Sequence, residues 1–154
     1  MSSRILAPAF SVVLGLLTAC GSANSTEPQH PNPNDESHKG NTVEVTEGSA
    51  NYVSQCAKCH GPTGRGTNEA PAVVGEGALP LHPSPSAKLR KTDFVTAKDV
   101  FDFIKTNMPG NAPGSLSDDQ YYEILAFDLK ANGVDLQNKK VDPTTVSTIR
   151  LPGR

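Results

Sequence analysis

Polar and apolar positions divide the chain into blocks of different character. Residues 5–17 are mostly apolar and follow Arg4, the pattern of an export signal too short to cross a bilayer comfortably. Residues 21–45 are rich in Pro, Asn, Ser and Glu with almost no apolar side chains, so they read as a flexible tether that cannot build a core. A helix is expected from Thr46, its N-cap, with Glu47 in the first turn and Gly48, Tyr52 and Cys56 four apart on one face. Gly61-Pro62-Thr63-Gly64-Arg65-Gly66 then breaks that helix, and residues 76–92, with Pro80, Pro83 and Pro85, read as a long covering loop. Thr96 and Asp99 approximate a capping box ahead of Val100, Phe101, Phe103 and Ile104, an apolar face that Met108-Pro109-Gly110 ends. The last clear helix runs from about residue 116 to residue 132, with Ser117 and Gln120 as its box and Gly133 as its stop. Ile124 and Phe127 are spaced to meet Gly48 and Tyr52. Leu136, Val141, Val146, Ile149 and Leu151 in the tail have no strong period and are expected to strap across the domain.

Composition sharpens this picture. The 154 residues include 5% aromatics and no Trp, so side chains alone would make a thin core, of the kind small domains supplement with a covalent staple. A formal net charge of -2 gives no case for nucleic acid as a partner.

The three cysteines carry the candidate chemistry. Cys56-Ala57-Lys58-Cys59-His60 places two thiols three residues apart with a histidine directly after, the spacing for attaching a c-type haem. Each thiol can add across a porphyrin vinyl group, which leaves His60 under the iron as proximal ligand. A zinc half-site would want a second Cys/His pair, and no cysteine follows Cys59. A redox pair would need neither His60 nor the glycine-rich turn. A ligating histidine needs an acceptor for its other ring nitrogen. The Pro71 carbonyl is the candidate, against the plainer reading of Pro71 as a chain breaker. Met108 is the one methionine left once the signal is removed, and its thioether at a Pro/Gly loop reads as the sixth ligand; His82 or an open position are the rivals. Lys88, Arg90 and Lys91 are candidate partners for the haem propionates, or simply a solvated basic face. His30 and His38 in the tether read as solvated. Leu17-Thr18-Ala19-Cys20-Gly21 resembles a bacterial lipobox, in which Cys20 is lipidated and becomes the new N-terminus. A released protein with a free thiol is the alternative. Several acyl chains on one residue anchor stably, and Gly21 leans to the outer membrane. The expected organisation is therefore a lipoprotein signal peptide at 1–19, lipidated Cys20 and tether at 20–45, a haem domain at 46–135 and a tail at 136–154, on the periplasmic side of the cell envelope.

Residues 46–133 resemble class I cytochrome c. The resemblance rests on Gly48-x3-Tyr52-x3-Cys56-x2-Cys59-His60-Gly61, Pro71, Met108-Pro109 and Ile124-Leu125-Ala126-Phe127. It implies an all-α class I cytochrome c fold, a few helices around one covalent haem c, with the first and last helices crossing at the glycine. It also implies His60/Met108 ligation and single-electron transfer between redox protein partners, with no catalytic residues. The missing tryptophan and the Pro-rich stretch depart from the family. Val74-Gly75-Glu76-Gly77-Ala78-Leu79, Asn107-Met108-Pro109, Ala112-Pro113-Gly114-Ser115-Leu116-Ser117-Asp118-Asp119 and the closing Ile149-Arg150-Leu151-Pro152-Gly153-Arg154 are similar to cytochrome subunits of periplasmic sulfite or sulfane dehydrogenases. That resemblance implies, as partner, a periplasmic dehydrogenase whose electrons this domain collects; a terminal oxidase is the other candidate partner. A haem enzyme or gas-sensing module with an open sixth position is the alternative function.

Overall fold

A computed structural model describes residues 36–153, with side chains from Glu44 onward. Four helices follow one another: α1 (Glu36–Gln55), α2 (Ala57–His60), α3 (Ala97–Asn107) and α4 (Asp118–Ala131). Among the described residues the sole β pairing is an isolated antiparallel bridge between Thr96 and Arg150. None of these helices is long and apolar enough to cross a membrane. The readings at residues 1–35, Cys20 and His30 included, lie outside the described residues, as does the side chain of His38.

The packing of α1 on α4 sets the frame. A Cβ added at Gly48 would lie 1.9 Å from the Glu123 carbonyl oxygen and 3.1 Å from the Phe127 Cβ, so the two backbones touch where any larger residue would separate them. That contact outweighs the cost of glycine within a helix, about 1 kcal/mol relative to alanine. One turn on, Tyr52 is buried against Phe127, with ring centroids 5.2 Å apart. Beside the crossing, Asn51 Nδ2 donates to Glu123 Oε2 at 2.7 Å.

Helices α3 and α4 both begin with a capping box, Thr96/Asp99 and Ser117/Gln120, so the local signals for these starts are reproduced. Phe101 bridges the two helices, stacked on Tyr122 at 4.1 Å and edge-on to Tyr121 at 6.5 Å. The end of α4 passes through Asn132 to Gly133, whose φ of 75° is the left-handed conformation that glycine adopts freely.

The start of α1 corrects the sequence reading. The helix begins at Glu36, ten residues before Thr46, which therefore sits inside it rather than at its N-cap. The cause is a contact remote in sequence. Glu44 is buried, and both its carboxylate oxygens accept from the Val141 N–H at 3.2 Å. Val45 packs against the core. A local window over this polar stretch contains no such partner.

The tail closes the domain. Leu136, Val141, Val146, Ile149 and Leu151 are all buried. Its carbonyls serve the first turn of α3, where Ala97 N–H donates to Ile149 O at 2.9 Å and Lys98 N–H to Val146 O at 3.1 Å. These are donors that a helix start otherwise leaves unpaired.

Burial, the largest influence, raises the Glu44 carboxyl from 4.5 to about 7, against the lowering effects of Val141 N–H and Lys140. Its folded value lies above its unfolded one, so the stability it contributes is present in full below about pH 4.5 and lost as pH rises through about 7. Glu44→Gln keeps an acceptor for Val141 but cannot ionise. Denaturant unfolding of the haem-loaded protein should therefore show the variant gaining on wild type between those pH values, by up to about 3 kcal/mol. Parallel stability–pH curves would contradict this.

Candidate haem site

The site starts where α1 stops. Cys56 N–H donates to Tyr52 O at 2.8 Å, completing α1, and the Cys56 carbonyl then accepts from Cys59 N–H at 3.1 Å and His60 N–H at 3.0 Å. Gly61, at φ 82°, turns the chain out of α2. Tyr52 Oη donates to the Gly61 carbonyl at 2.8 Å, which fixes that turn to α1. The chain then folds back on itself. Gly66 N–H donates to His60 O at 2.9 Å, and Val73 and Val74 N–H both donate to Gly64 O, at 2.8 and 2.9 Å. A Cβ at Gly64 would lie 2.7 Å from Val74 Cγ2, so this return also depends on glycine.

The return brings the Pro71 carbonyl to 2.8 Å from His60 Nδ1. A carbonyl can only accept, so Nδ1 carries the proton and Nε2 keeps the lone pair that a metal would use. Asn132, beyond the end of α4, holds the same loop from behind. Its Nδ2 donates to Val73 O at 2.8 Å, and its Oδ1 accepts from Gly75 N–H at 3.0 Å.

Met108 lies just past α3, where its N–H donates to Ile104 O at 2.8 Å. Its carbonyl accepts from Tyr121 Oη at 2.6 Å and from Gly114 N–H at 3.2 Å. The backbone of Met108 is thus pinned from α4 and from its own loop.

Cys56, His60 and Met108 line one cavity. Tyr52, Val73, Ile104, Pro109, Leu116, Tyr121, Ile124 and Asp128 complete its wall. A nitrogen donor and a soft sulfur donor, delivered by different elements to a largely apolar space with a thiol at its rim, suit a porphyrin iron. The rival uses of the cysteines fare worse. Among the described residues, no group of three His, Cys, Asp or Glu side chains could hold a metal ion. Burial pushes the Cys56 thiol up to about 12, with Asp128 and Cys59 adding to the shift, whereas a reactive redox thiol needs its pKa lowered.

Several candidate residues fall elsewhere. His82 Nδ1 pairs with Asp93 Oδ1 at 3.0 Å in the exposed loop and does not line the cavity. Arg90, read as a propionate partner, is buried in that loop instead. Its guanidinium donates to the Thr92 and Leu81 carbonyls and lies 3.7 Å from the centre of the Phe94 ring, which holds the Pro-rich segment in place. Lys91 Nζ donates to Ala87 O at 3.0 Å, and Lys88 is exposed. Three residues gain roles the sequence reading lacked: Tyr121 behind Met108, Asn132 behind the Pro71 loop, and Asp128 in the cavity wall. The signal for Asp128 was a carboxylate on the stripe of Tyr121, Ile124 and Leu125, where helical spacing calls for an apolar residue.

Residues 43–127 match the family described as cytochrome c oxidase, cbb3-type, subunit III. The chain belongs to this family of c-type cytochromes. Among solved structures it is similar to the crystal structure of the sulfane dehydrogenase SoxCD from Paracoccus pantotrophus, with 27% identity and a TM-score of 0.50. The likeness covers 70% of this chain and 53% of that one, so the cytochrome spans about half the length of its structural relative. No curated protein matches it.

The cytochrome therefore carries haem c, bound covalently through Cys56 and Cys59, and transfers electrons. The bound haem supplies an iron that gains and loses one electron. The chain's part is to hold that group rigidly and to bury it. Cys56→Ala with Cys59→Ala should abolish haem staining after denaturing electrophoresis, and either single variant should keep a weaker, single-bond attachment. Equal staining of wild type and the double variant would contradict the assignment.

Proposed function

We propose that this cytochrome is a membrane-tethered, single-haem electron carrier of the periplasm, with the iron bound by His60 and Met108. The observation that carries this reading is the arrival of both residues at one apolar cavity, His60 oriented by Pro71 and Met108 pinned by Tyr121. A methionine thioether is a weak, soft ligand that favours ferrous iron and raises the potential. With both axial positions filled by the chain, no substrate binds the iron, and the protein's work is to set the potential and present a haem edge to its partners. The partner proposed is a periplasmic dehydrogenase, as the sulfane dehydrogenase likeness suggests, with this chain as its cytochrome subunit or acceptor; a terminal oxidase on the receiving side fits the family description. An open-site haem enzyme would want a distal base, and His82 is tied to Asp93 away from the cavity.

The proposed anchor is lipid on Cys20, with the polar segment that follows it as tether, leaning to the outer membrane because Gly21 follows the cysteine.

Two measurements test this reading. The reduced protein should not bind carbon monoxide, and Met108→Ala should bind it readily; prompt binding by wild type would move the open-site alternative ahead. Cys20→Ala should shift the cytochrome from the membrane fraction to the soluble periplasmic fraction, and an unchanged distribution would remove the lipid anchor from the account.

A further inference from the structure

One group in the cavity wall has no part in holding the haem. Asp128 lies on α4, four residues after Ile124 and four before Asn132, and is 6% exposed. Its main-chain carbonyl is occupied by the Asn132 side chain at 2.8 Å. Its side-chain Oδ1 is buried and has no hydrogen-bond partner, yet the residue lines the space that receives the haem. An ionised carboxylate left in such a place costs several kcal/mol unless a positive charge faces it.

Among the described residues, the cavity wall supplies none. Asp128 shares the cavity wall with Tyr52 and Cys56 at the end of α1, His60 of α2, Ile104 and Met108 at the end of α3, and Tyr121 on its own helix. No Lys or Arg lines the cavity. Tyr52 is held up to about 12, by burial and then by Asp128 itself, and stays neutral. The Cys56 sulfur is consumed as a thioether. Burial alone pushes the Asp128 carboxyl up to about 8. The remaining charge able to act on it is that of the haem, together with its propionates.

We propose that Asp128 is a proton-binding site coupled to the haem, so that the cytochrome takes up a proton with an electron and releases it on reoxidation. In the ferric state the iron and porphyrin ring carry one net positive charge, which favours the carboxylate. Reduction removes that charge from a water-poor cavity, where it acts strongly, and favours the neutral acid. The electron comes from the redox partner and the proton from solvent. The proton bonds to a carboxylate oxygen, no bond to iron forms or breaks, and reoxidation returns both. By linkage, the midpoint potential falls as pH rises between the ferric and ferrous pKa values of this carboxyl and is level outside them. The inference rests on a haem in this cavity, whichever protein is the partner.

The test is an optical redox titration of the haem-loaded full-length protein over pH about 5 to 10, on wild type, Asp128→Asn and Asp128→Leu. Haem loading is read first from the reduced spectrum, so loss of haem is distinguished from loss of coupling. At fixed ambient potential the wild-type ferrous-to-ferric ratio should drop by up to about tenfold per pH unit within the window. Both variants should keep just the shallow slope contributed by the propionates. Leucine serves as the second variant because it puts an apolar side chain against apolar walls if the amide fails to fold. A pH indicator in weak buffer should report proton uptake on reduction of wild type that the variants lose. A wild-type potential level across the range overturns the proposal without any variant. A slope as steep as that of wild type surviving in either variant assigns the proton to the propionates and overturns it equally.

Discussion

The contact between α1 and α4 at Gly48 is the constraint from which the rest of this structure follows. With the Glu123 carbonyl where a side chain would begin, the two helices lock in one register, and that register decides what else can meet. It puts Tyr52 on Phe127 and brings Cys56, at the end of α1, beside Ile124 and Asp128 on α4. Tyr52 then carries the position forward through its hydroxyl to Gly61, the residue that ends the haem-attachment turn. A close helix crossing is thus converted, within nine residues of Tyr52, into the placement of His60.

The second consequence concerns how little the chain itself packs around the site. The continuous apolar core lies between α3, α4 and the tail, while the region between His60 and Met108 is a cavity. A haem held there would add the apolar surface that a protein without tryptophan lacks. Around that space the chain relies on backbone geometry: Pro71 O on His60, Tyr121 on Met108 O, and Asn132 on the loop from Val73 to Gly75. Such contacts fix orientation without crowding the cofactor, and they leave Asp128 as the carboxylate in a largely apolar wall.

What could be read from sequence divides by distance along the chain. The Cys56–His60 motif, both capping boxes, the stop at Gly133 and the glycine at the helix crossing are signals carried by a few neighbouring residues, and the structure has those elements. The readings that missed rest on tertiary contacts or on an irregular loop that no local pattern displays. Glu44 looked like part of a tether because the Val141 amide that draws it in is 97 residues away. Arg90 looked like a propionate partner because its real contacts, the Leu81 and Thr92 carbonyls and the Phe94 face, are made by an irregular loop with no period to read. Tyr121 was legible as apolar surface, but its hydroxyl found Met108 O through a tertiary contact. Asp128 was visible as a break in an apolar stripe, and its environment was not.

The most direct test of the account is the far-red absorption band of the purified ferric protein, which arises when a methionine sulfur bonds ferric haem iron. The account predicts the band in wild type, its loss in Met108→Ala and its persistence in His82→Ala. A ferric protein that lacks the band, or a Met108→Ala variant that keeps it, would contradict the placement of the iron between His60 and Met108.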